Sequence, residues 1–159
     1  MEDFVVRGVA VAKNEAKVTI SDVPDRPGLA AKIFTRLSDA NISVDVIVQN
    51  VSRKGRTDVS FTVNQSALHR TLTAARKVAR EINARGVTYD DKIAKVSVVG
   101  VGMQTQSGIA ARMFRALAKR KINIEMISTS EIKISCVIHK RQALQAVRAL
   151  HKAFELGKV

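Results

Sequence analysis

The chain carries one motif twice, and this duplication restricts the possible folds more than any other feature. The stretch "PGLAAKIFTRL" at residues 27–37 returns as "SGIAARMFRAL" at residues 107–117, at an offset of 80 residues. Further along, "VSFTV" at 59–63 pairs with "ISCVI" at 134–138 at an offset of 75, so the second copy is shorter by five residues. A motif that occurs twice predicts one structural unit used twice.

Each copy has the pattern of a strand, a helix, two further strands and a second helix. The strand-like "AKVTI" at 16–20 matches "AKVSV" at 94–98, and both runs are rich in β-branched residues. The polar turn "SRKGR" at 52–56 separates two β-rich runs and predicts a hairpin. We expect the second helix of the first copy to begin at a Ser66 cap and to run up to Gly86, which acts as its stop.

The strand that closes the second copy is missing at its expected place. The first copy is closed by "VTYDDKI" at 87–93, whereas the strand-like "FVVRGVAV" at 4–11 is left over at the beginning of the chain. We expect this leftover strand to complete the second unit, because an unfilled sheet edge needs a partner. The predicted fold class is α+β, with two ferredoxin-like βαββαβ domains. The first domain is inserted, over residues 15–91, and the second combines residues 1–14 with residues 92–159.

Composition and charge narrow the classes of protein. A single cysteine rules out an internal disulfide and is typical of a reducing cytoplasm, and no apolar run reaches the length of a membrane span. The start "MEDFVVRG" carries two acids and does not resemble a signal peptide. We attribute most of the net charge of +13 to solvated helix faces. Cys136 lies in an apolar run and is expected to be buried, and the three histidines have no metal-ligand spacing.

The turn before the first repeated helix has the features of a site for a free amino acid. A helix N-terminus offers unpaired N–H groups and partial positive charge to a carboxylate. Gly28 lets a ligand approach the backbone closely, and Asp25 offers an acceptor for an ammonium group. The second copy has Thr105 and Ser107 where the first has Asp25 and Pro27. The same turn is also a common packing device, and this purely structural interpretation stays open.

Polar residues on two repeated strands could add to such a site. Ser43, Asp45 and Gln49 share one face of their predicted strand. In the second copy Asn123 corresponds to Ser43, and Thr129 corresponds to Gln49. If the two units pack side by side, the two turns and two strands are expected to frame a shared pocket.

Several stretches together resemble the regulatory region of bacterial aspartate kinase over nearly the whole chain. They include "DRPGLAAKIF", "VDVIVQNVS", "KIAKVSVVGVGM" and "NIEMISTSEIKIS". In that family this region consists of two ACT domains that bind threonine, and in many members lysine, and inhibit the phosphorylation of aspartate. This step opens the pathway to lysine, threonine and methionine. The resemblance implies these effector-binding residues: Asp25, Arg26, Pro27, Gly28, Leu29, Ala30, Ser43, Val44, Asp45 and Gln49 in the first domain, and Ile109, Ala110, Asn123, Ile124, Thr129 and Ser130 in the second.

The resemblance also implies the partners and the lack of catalysis. It implies a cytoplasmic, non-catalytic regulatory part that pairs with a kinase domain or α subunit and forms homodimers, without cofactor, metal, nucleic acid or membrane. A chain that begins "MEDFVVRGVA" fits a separate β subunit and fits an engineered fragment equally well. Some members that respond to lysine plus threonine have threonine where Ala110 stands, which favours threonine here. The alternatives are an RNA-binding module on a similar scaffold and, with less support, an enzyme in its own right.

Overall fold

The computed structural model describes residues 5–101 and 106–156, and it forms two compact units. One unit runs from Asn14 to Asp91, and the other is built from the chain before and after it. The elements in chain order are β1 (Val5–Pro24), α1 (Leu29–Asp39), β2 (Ile47–Gln49), β3 (Arg56–Asn64), α2 (Leu68–Glu81), β4 (Gly86–Val101), α3 (Gln106–Lys119), β5 (Met126–Thr129), β6 (Lys133–His139) and α4 (Ala143–Ala153). Short 3₁₀ helices, Gln65–Ala67 and Lys140–Gln142, precede α2 and α4.

The inserted unit, residues 14–91, is one ferredoxin-like domain. Its strands lie in the order β2-β3-β1-β4, and β3 runs antiparallel to both β1 and β2. The connection between β2 and β3 ends in a two-residue turn, in which Lys54 and Gly55 adopt positive φ angles of 52° and 73° between the bridged residues Arg53 and Arg56. The backbone groups of Arg53 and Arg56 close this loop with two hydrogen bonds of 2.8 and 3.0 Å. The expected hairpin is therefore present.

The second unit has the same topology, and its closing strand is the N-terminal part of β1. Its strands lie in the order β1-β4-β6-β5, and β6 runs antiparallel to β4 and β5. Val6 and Val9 pack against the hydrophobic core of this unit. The prediction that the N-terminal strand completes the second domain is confirmed. The inserted unit begins at Asn14, one residue before the expected boundary.

The two cores use equivalent positions with different side chains. In the first core Phe34 meets Phe61 edge-on, with ring centroids 5.7 Å apart. The second core has Phe114 at the first position and Cys136 at the second, and Met113 stands where the first core has Ile33. Met113 and Cys136 are both fully buried in the second core, as Ile33 and Phe61 are in the first.

Polar groups repeat across the two units as well. The hydroxyls of Thr19 and Ser60 lie 2.8 Å apart between β1 and β3. The corresponding hydroxyls of Ser97 and Ser135 lie 2.6 Å apart between β4 and β6, where both residues are buried. Hydrogen bonding between neighbouring strands thus extends to the side chains in each sheet.

A glutamine joins the two long strands at the end of the inserted unit. The Gln65 side-chain amide donates to the backbone carbonyl of Asp91 at 2.8 Å and to that of Glu15 at 3.4 Å. Residues 15 and 91 lie at the two ends of this unit, where β1 enters it and β4 leaves it. The Gln65 side chain therefore bridges the two ends of the insertion, in addition to the pairing of β1 with β4 in the sheet.

Several local expectations were wrong. The strand expected over 43–51 is reduced to β2; just before it the pairing is irregular, with the Val46 N–H donating to the Thr62 hydroxyl at 3.0 Å and the Asp45 N–H donating to the Thr62 carbonyl. The predicted Ser66 cap is not a cap: the Asn64 side chain accepts a hydrogen bond from the Ser66 N–H at 2.9 Å. The helix ends at Glu81, before the expected stop at Gly86, which opens β4 instead. Thr105 and the side chain of Ser107 lie outside the described residues.

Candidate functional site

The best-defined candidate site lies where β1 gives way to α1. After Pro24 the Asp25 N–H donates to the Gly55 carbonyl at 2.8 Å, which fixes the turn against the β2–β3 hairpin. Gly28 then adopts a left-handed conformation with φ 90° and ψ −13°, and α1 begins at Leu29. A side chain at position 28 would be strained in this conformation, so the glycine is needed for the turn itself.

The first turn of α1 presents hydrogen-bond donors that the protein leaves unused. No side chain caps this helix, and within residues 5–101 and 106–156 the N–H groups of Gly28, Ala30 and Ala31 have no hydrogen-bond partner. The Gly28 carbonyl accepts from the Lys32 N–H at 3.0 Å, which closes the first turn of the helix. Three free donors at a helix start form a natural site for an anionic group.

A negative charge stands beside these donors. The Asp25 side chain is exposed and makes no hydrogen bond or ion pair with any described residue. Arg26 is exposed next to it. One turn therefore offers donors for a carboxylate and an acceptor for an ammonium group within a few residues.

A cavity of about 370 Å³ opens at this turn. Its polar lining includes Asp25, Arg26, Gln49 and Thr57, and its wall is otherwise mostly apolar. The remaining lining residues are Val23, Pro24, Pro27, Gly28, Leu29, Ala30, Ile33 and Val59. The lining is compatible with a small, partly apolar zwitterion, whose charged ends would face the turn and whose side chain would face the apolar wall.

The structure brings together part of the predicted first-domain residues. The run Asp25–Ala30 and Gln49 line the cavity. Ser43, Val44 and Asp45 do not line it, and they lie in the irregular segment before β2, where the Asp45 N–H donates to the Thr62 carbonyl at 3.0 Å. Their effector role stays a prediction.

The predicted second-domain residues belong to the other unit and differ among themselves in burial. Ile109 is buried, and Ala110 and Ile124 pack against its core as partly buried residues. Asn123, Thr129 and Ser130 are exposed, and Ser130 makes a backbone hydrogen bond of 2.8 Å to Lys133 at the turn after β5. Their role in a shared pocket stays a prediction.

Sequence reasoning missed the floor of the cavity. Val23, Ile33, Thr57 and Val59 line it but were not among the predicted residues. They come from three elements, β1, α1 and β3, and of the four only Val23 and Thr57 are partners in the strand register. The apolar alternation in β3 could have indicated Val59.

Other kinds of site find little support in the described part of the chain. Within it, no three His, Cys, Asp or Glu side chains are grouped so that they could hold a metal ion. No described helix is long and apolar enough to span a bilayer. Cys136 is buried as expected, and burial raises the pKa of its thiol to about 12, so the thiol stays protonated and unreactive at neutral pH.

Comparison with known proteins identifies both domains. Models of the ACT domain match residues 18–80 and residues 96–154. The aspartate kinase of Pseudomonas fluorescens SBW25 is 54% identical over 156 residues, which are 98% of this chain and 38% of that protein. The aspartokinase of Helicobacter pylori 26695 is 47% identical over 158 residues, which are 99% of this chain and again 38% of that protein. The chain therefore spans little more than a third of these relatives.

Solved structures are also similar to this chain, and here the match covers nearly the whole of both chains. A crystal structure of aspartokinase alpha and beta subunits contains a chain that this one covers completely, with 96% of this chain matched, 46% identity and a TM-score of 0.89. The ligand-free regulatory subunit of aspartate kinase from Thermus thermophilus matches 94% of this chain and is itself covered to 99%, with 41% identity and a TM-score of 0.89. The chain belongs to the aspartate kinase family and corresponds to its regulatory region of two ACT domains.

Proposed function

We propose that this chain is the amino-acid sensor of an aspartate kinase, that threonine is its effector, and that it catalyses no phosphate transfer itself. Binding would serve feedback inhibition of the first step toward lysine, threonine and methionine. The observation that carries the proposal is the arrangement at the start of α1. There, unused N–H donors and the unpaired Asp25 carboxylate open on one cavity.

Each group of a bound threonine has a counterpart in this cavity. Its carboxylate would accept hydrogen bonds from the N–H groups of Gly28 and Ala30, assisted by the dipole of α1. Its ammonium would meet Asp25, and its hydroxyl would meet the Gln49 amide. Its methyl group would contact the apolar wall, which includes Val59.

The charge of the lining supports threonine over lysine. Asp25 is the one acid among the described residues that line the cavity, and it suffices for one ammonium group. Lysine would bring a second ammonium group without a carboxylate to receive it, and a charge buried without a partner is costly. Lysine therefore serves as the discriminating comparison.

The proposed regulation requires a partner and two conformations. We infer that the chain acts on a kinase domain or α subunit and dimerises through its ACT domains; the similar aspartokinase of separate alpha and beta subunits supports the first of these partners. An effector shifts such an equilibrium only by its difference in affinity for the two states, typically about 1–3 kcal/mol.

Titration calorimetry of the chain with threonine and with lysine tests the proposal. We expect heat from threonine, and we expect D25N to weaken its binding by about tenfold or more, because a hydrogen bond to a charged group is worth about 1.5–3 kcal/mol. The matched control is D39N, because Asp39 is also an exposed acid of the same unit but does not line the cavity. The absence of heat from both amino acids, or equal effects of the two variants, would refute the proposal.

A further inference from the structure

The positive charge of the chain is concentrated in one of the two ACT units. Residues 14–91 contain 12 Lys and Arg against 9 Asp and Glu, a net charge of +3. The rest of the chain contains the other 15 Lys and Arg against 5 Asp and Glu, a net charge of +10. Two copies of one fold of nearly equal length therefore differ strongly in charge, so the fold itself does not require it.

The helical layer of the second unit holds most of this charge. We define the cationic layer as α3 with its last turn, residues 106–121, and α4 with its preceding 3₁₀ turn, residues 140–153; the two helices pack against each other. It carries nine Lys and Arg and no Asp or Glu. These nine residues are Arg112, Arg115, Lys119, Arg120, Lys121, Lys140, Arg141, Arg148 and Lys152.

These cations are available to a partner. Eight of the nine are exposed, Lys140 being half-buried, and none of the nine makes an ion pair with a described residue. Arg112 lies over the ring of Phe154 at 5.1 Å, a contact that leaves its charge uncompensated. The equivalent layer of the first unit includes acids, and its Glu81 pairs with Arg36 at 3.0 Å. A merely solvated face would be expected to mix both signs, as the first unit does.

We propose that the cationic layer binds the phosphate backbone of a nucleic-acid duplex without reading its sequence. Nucleic-acid interfaces are polar and strongly positive, and lysine and arginine contacts to phosphates supply nearly all of their non-specific affinity. This proposal departs from the expectation that the chain has no nucleic-acid partner. It is independent of the proposed amino-acid site, which lies in the other unit.

The surface chemistry of the layer favours a duplex backbone over other anionic partners. A protein interface needs an apolar core, and among the described residues of the layer Leu144 is the one large apolar side chain that is more than half exposed, at 56%. A single strand would need exposed aromatic rings for stacking, and Phe114 and Phe154 are both partly buried against the core. A second copy of the same face would be repelled by its own charge. Helix α3, with 14 residues, is about 21 Å long and so spans roughly six base pairs.

Fluorescence anisotropy with a labelled RNA duplex of about 20 base pairs, and with the matching DNA duplex, tests the proposal. We expect the whole chain to bind both at about 50 mM salt with affinities within about threefold of each other, because backbone contacts do not depend on the bases. We expect affinity to fall at least tenfold at about 200 mM salt, as counterion release by several phosphate contacts requires.

Charge reversal on equivalent helices provides a matched pair of variants. R148E/K152E reverses two exposed cations four residues apart on α4, and R76E/R80E does the same on α2 of the first unit. We expect at least about a tenfold loss for the first variant and less than about a threefold loss for the second. Equal losses of duplex affinity in the two variants would mean that the net charge of the whole chain, and not this layer, determines binding. No binding of the unmodified chain at low salt would mean that the layer does not bind a duplex. Either result overturns the proposal.

Two further measurements address a variant that fails to fold and a partner that is an acidic protein. If R148E/K152E does not fold, as judged by circular dichroism, R148Q/K152Q replaces it and is expected to lose affinity about threefold or more, with the R76Q/R80Q control unchanged. Polyglutamate is the competitor for an acidic protein partner. If it displaces the duplex at equal charge concentration, an acidic protein is the better occupant and the nucleic-acid proposal is overturned.

Discussion

The buried hydroxyl pair of the second unit permits a sharp test of how polar groups stabilise these sheets. Ser97 and Ser135 are 4% and 3% exposed, and their hydroxyl oxygens lie 2.6 Å apart. S135A would leave the Ser97 hydroxyl buried with no partner across the strand, at a cost of about 1–3 kcal/mol. The double variant S97A/S135A removes both polar groups and is expected to cost less than either single change.

The quantity to measure is the coupling energy between Ser97 and Ser135. We expect the two single changes to sum to about 2–6 kcal/mol and the double change to cost about 0–1 kcal/mol, which gives a coupling energy of at least about 1 kcal/mol. Urea unfolding of the four proteins gives these free energies from the transition midpoints and slopes. A cavity contributes little, because serine and alanine differ only by the hydroxyl.

The first unit supplies the control within the same chain. Thr19 and Ser60 form the equivalent pair at 2.8 Å but are only partly buried, so water can replace the lost partner. We expect a coupling energy below about 0.5 kcal/mol for T19A and S60A. Additive costs at Ser97 and Ser135, or equal coupling in the two pairs, would refute the argument that burial makes the orphaned hydroxyl expensive.

Three further predictions concern the backbone and the thiol. Lys121 follows the end of α3 and has a left-handed φ of 57°, so K121G is expected to raise the free energy of unfolding by about 0.5–1 kcal/mol. N41G, at the equivalent φ of 58° after α1, should gain less, because asparagine tolerates this conformation. Thermal melts would check both variants, and a loss of stability for K121G would contradict the prediction. In G28A the added Cβ meets no atom within 4 Å, but the alanine is forced to a φ of 90°, so we expect the free energy of unfolding in urea to fall by about 1–2 kcal/mol. An unchanged midpoint of the urea transition would show that the turn relaxes freely. Burial raises the pKa of the Cys136 thiol from 9.0 to about 12, so as the pH rises the thiol loses its proton in the unfolded chain before it does so in the native one. The free energy of unfolding should therefore fall between these two pH values. Ellman's reagent should label no thiol in the native chain near pH 8 and one thiol in denaturant.

The repeat made most of the topology predictable. Because both copies share one apolar pattern, the missing closing strand could be assigned to residues 4–11 before any coordinates were known. The same alignment could not predict that Thr62 would accept from the Val46 N–H, because this depends on where a side chain meets a neighbouring strand. Nor could it predict the cap from Asn64, since asparagine and serine are equally good capping residues in sequence.

The part of the candidate site that is contiguous in sequence was predictable, whereas the part that combines residues from several elements was not. The run Asp25–Ala30 is contiguous, so its chemistry can be understood from the sequence alone. The floor of the cavity combines side chains from β1, α1 and β3, and their meeting is decided by strand register. The charge difference between the units was also present in the sequence, but it acquired meaning only when the structure showed that the two helical layers are equivalent.

The glutamine that bridges Glu15 and Asp91 has a consequence for biosynthesis. On the ribosome, the strand over residues 5–13 emerges before the whole insertion, and its neighbour in the sheet, over residues 92–101, emerges after it. Once the insertion has folded, Gln65 holds its entry and exit points side by side, so the waiting strand and the incoming strand start in near alignment. The nascent chain then has to close only a short gap instead of a loop of some eighty residues, which lowers the entropy cost of that pairing.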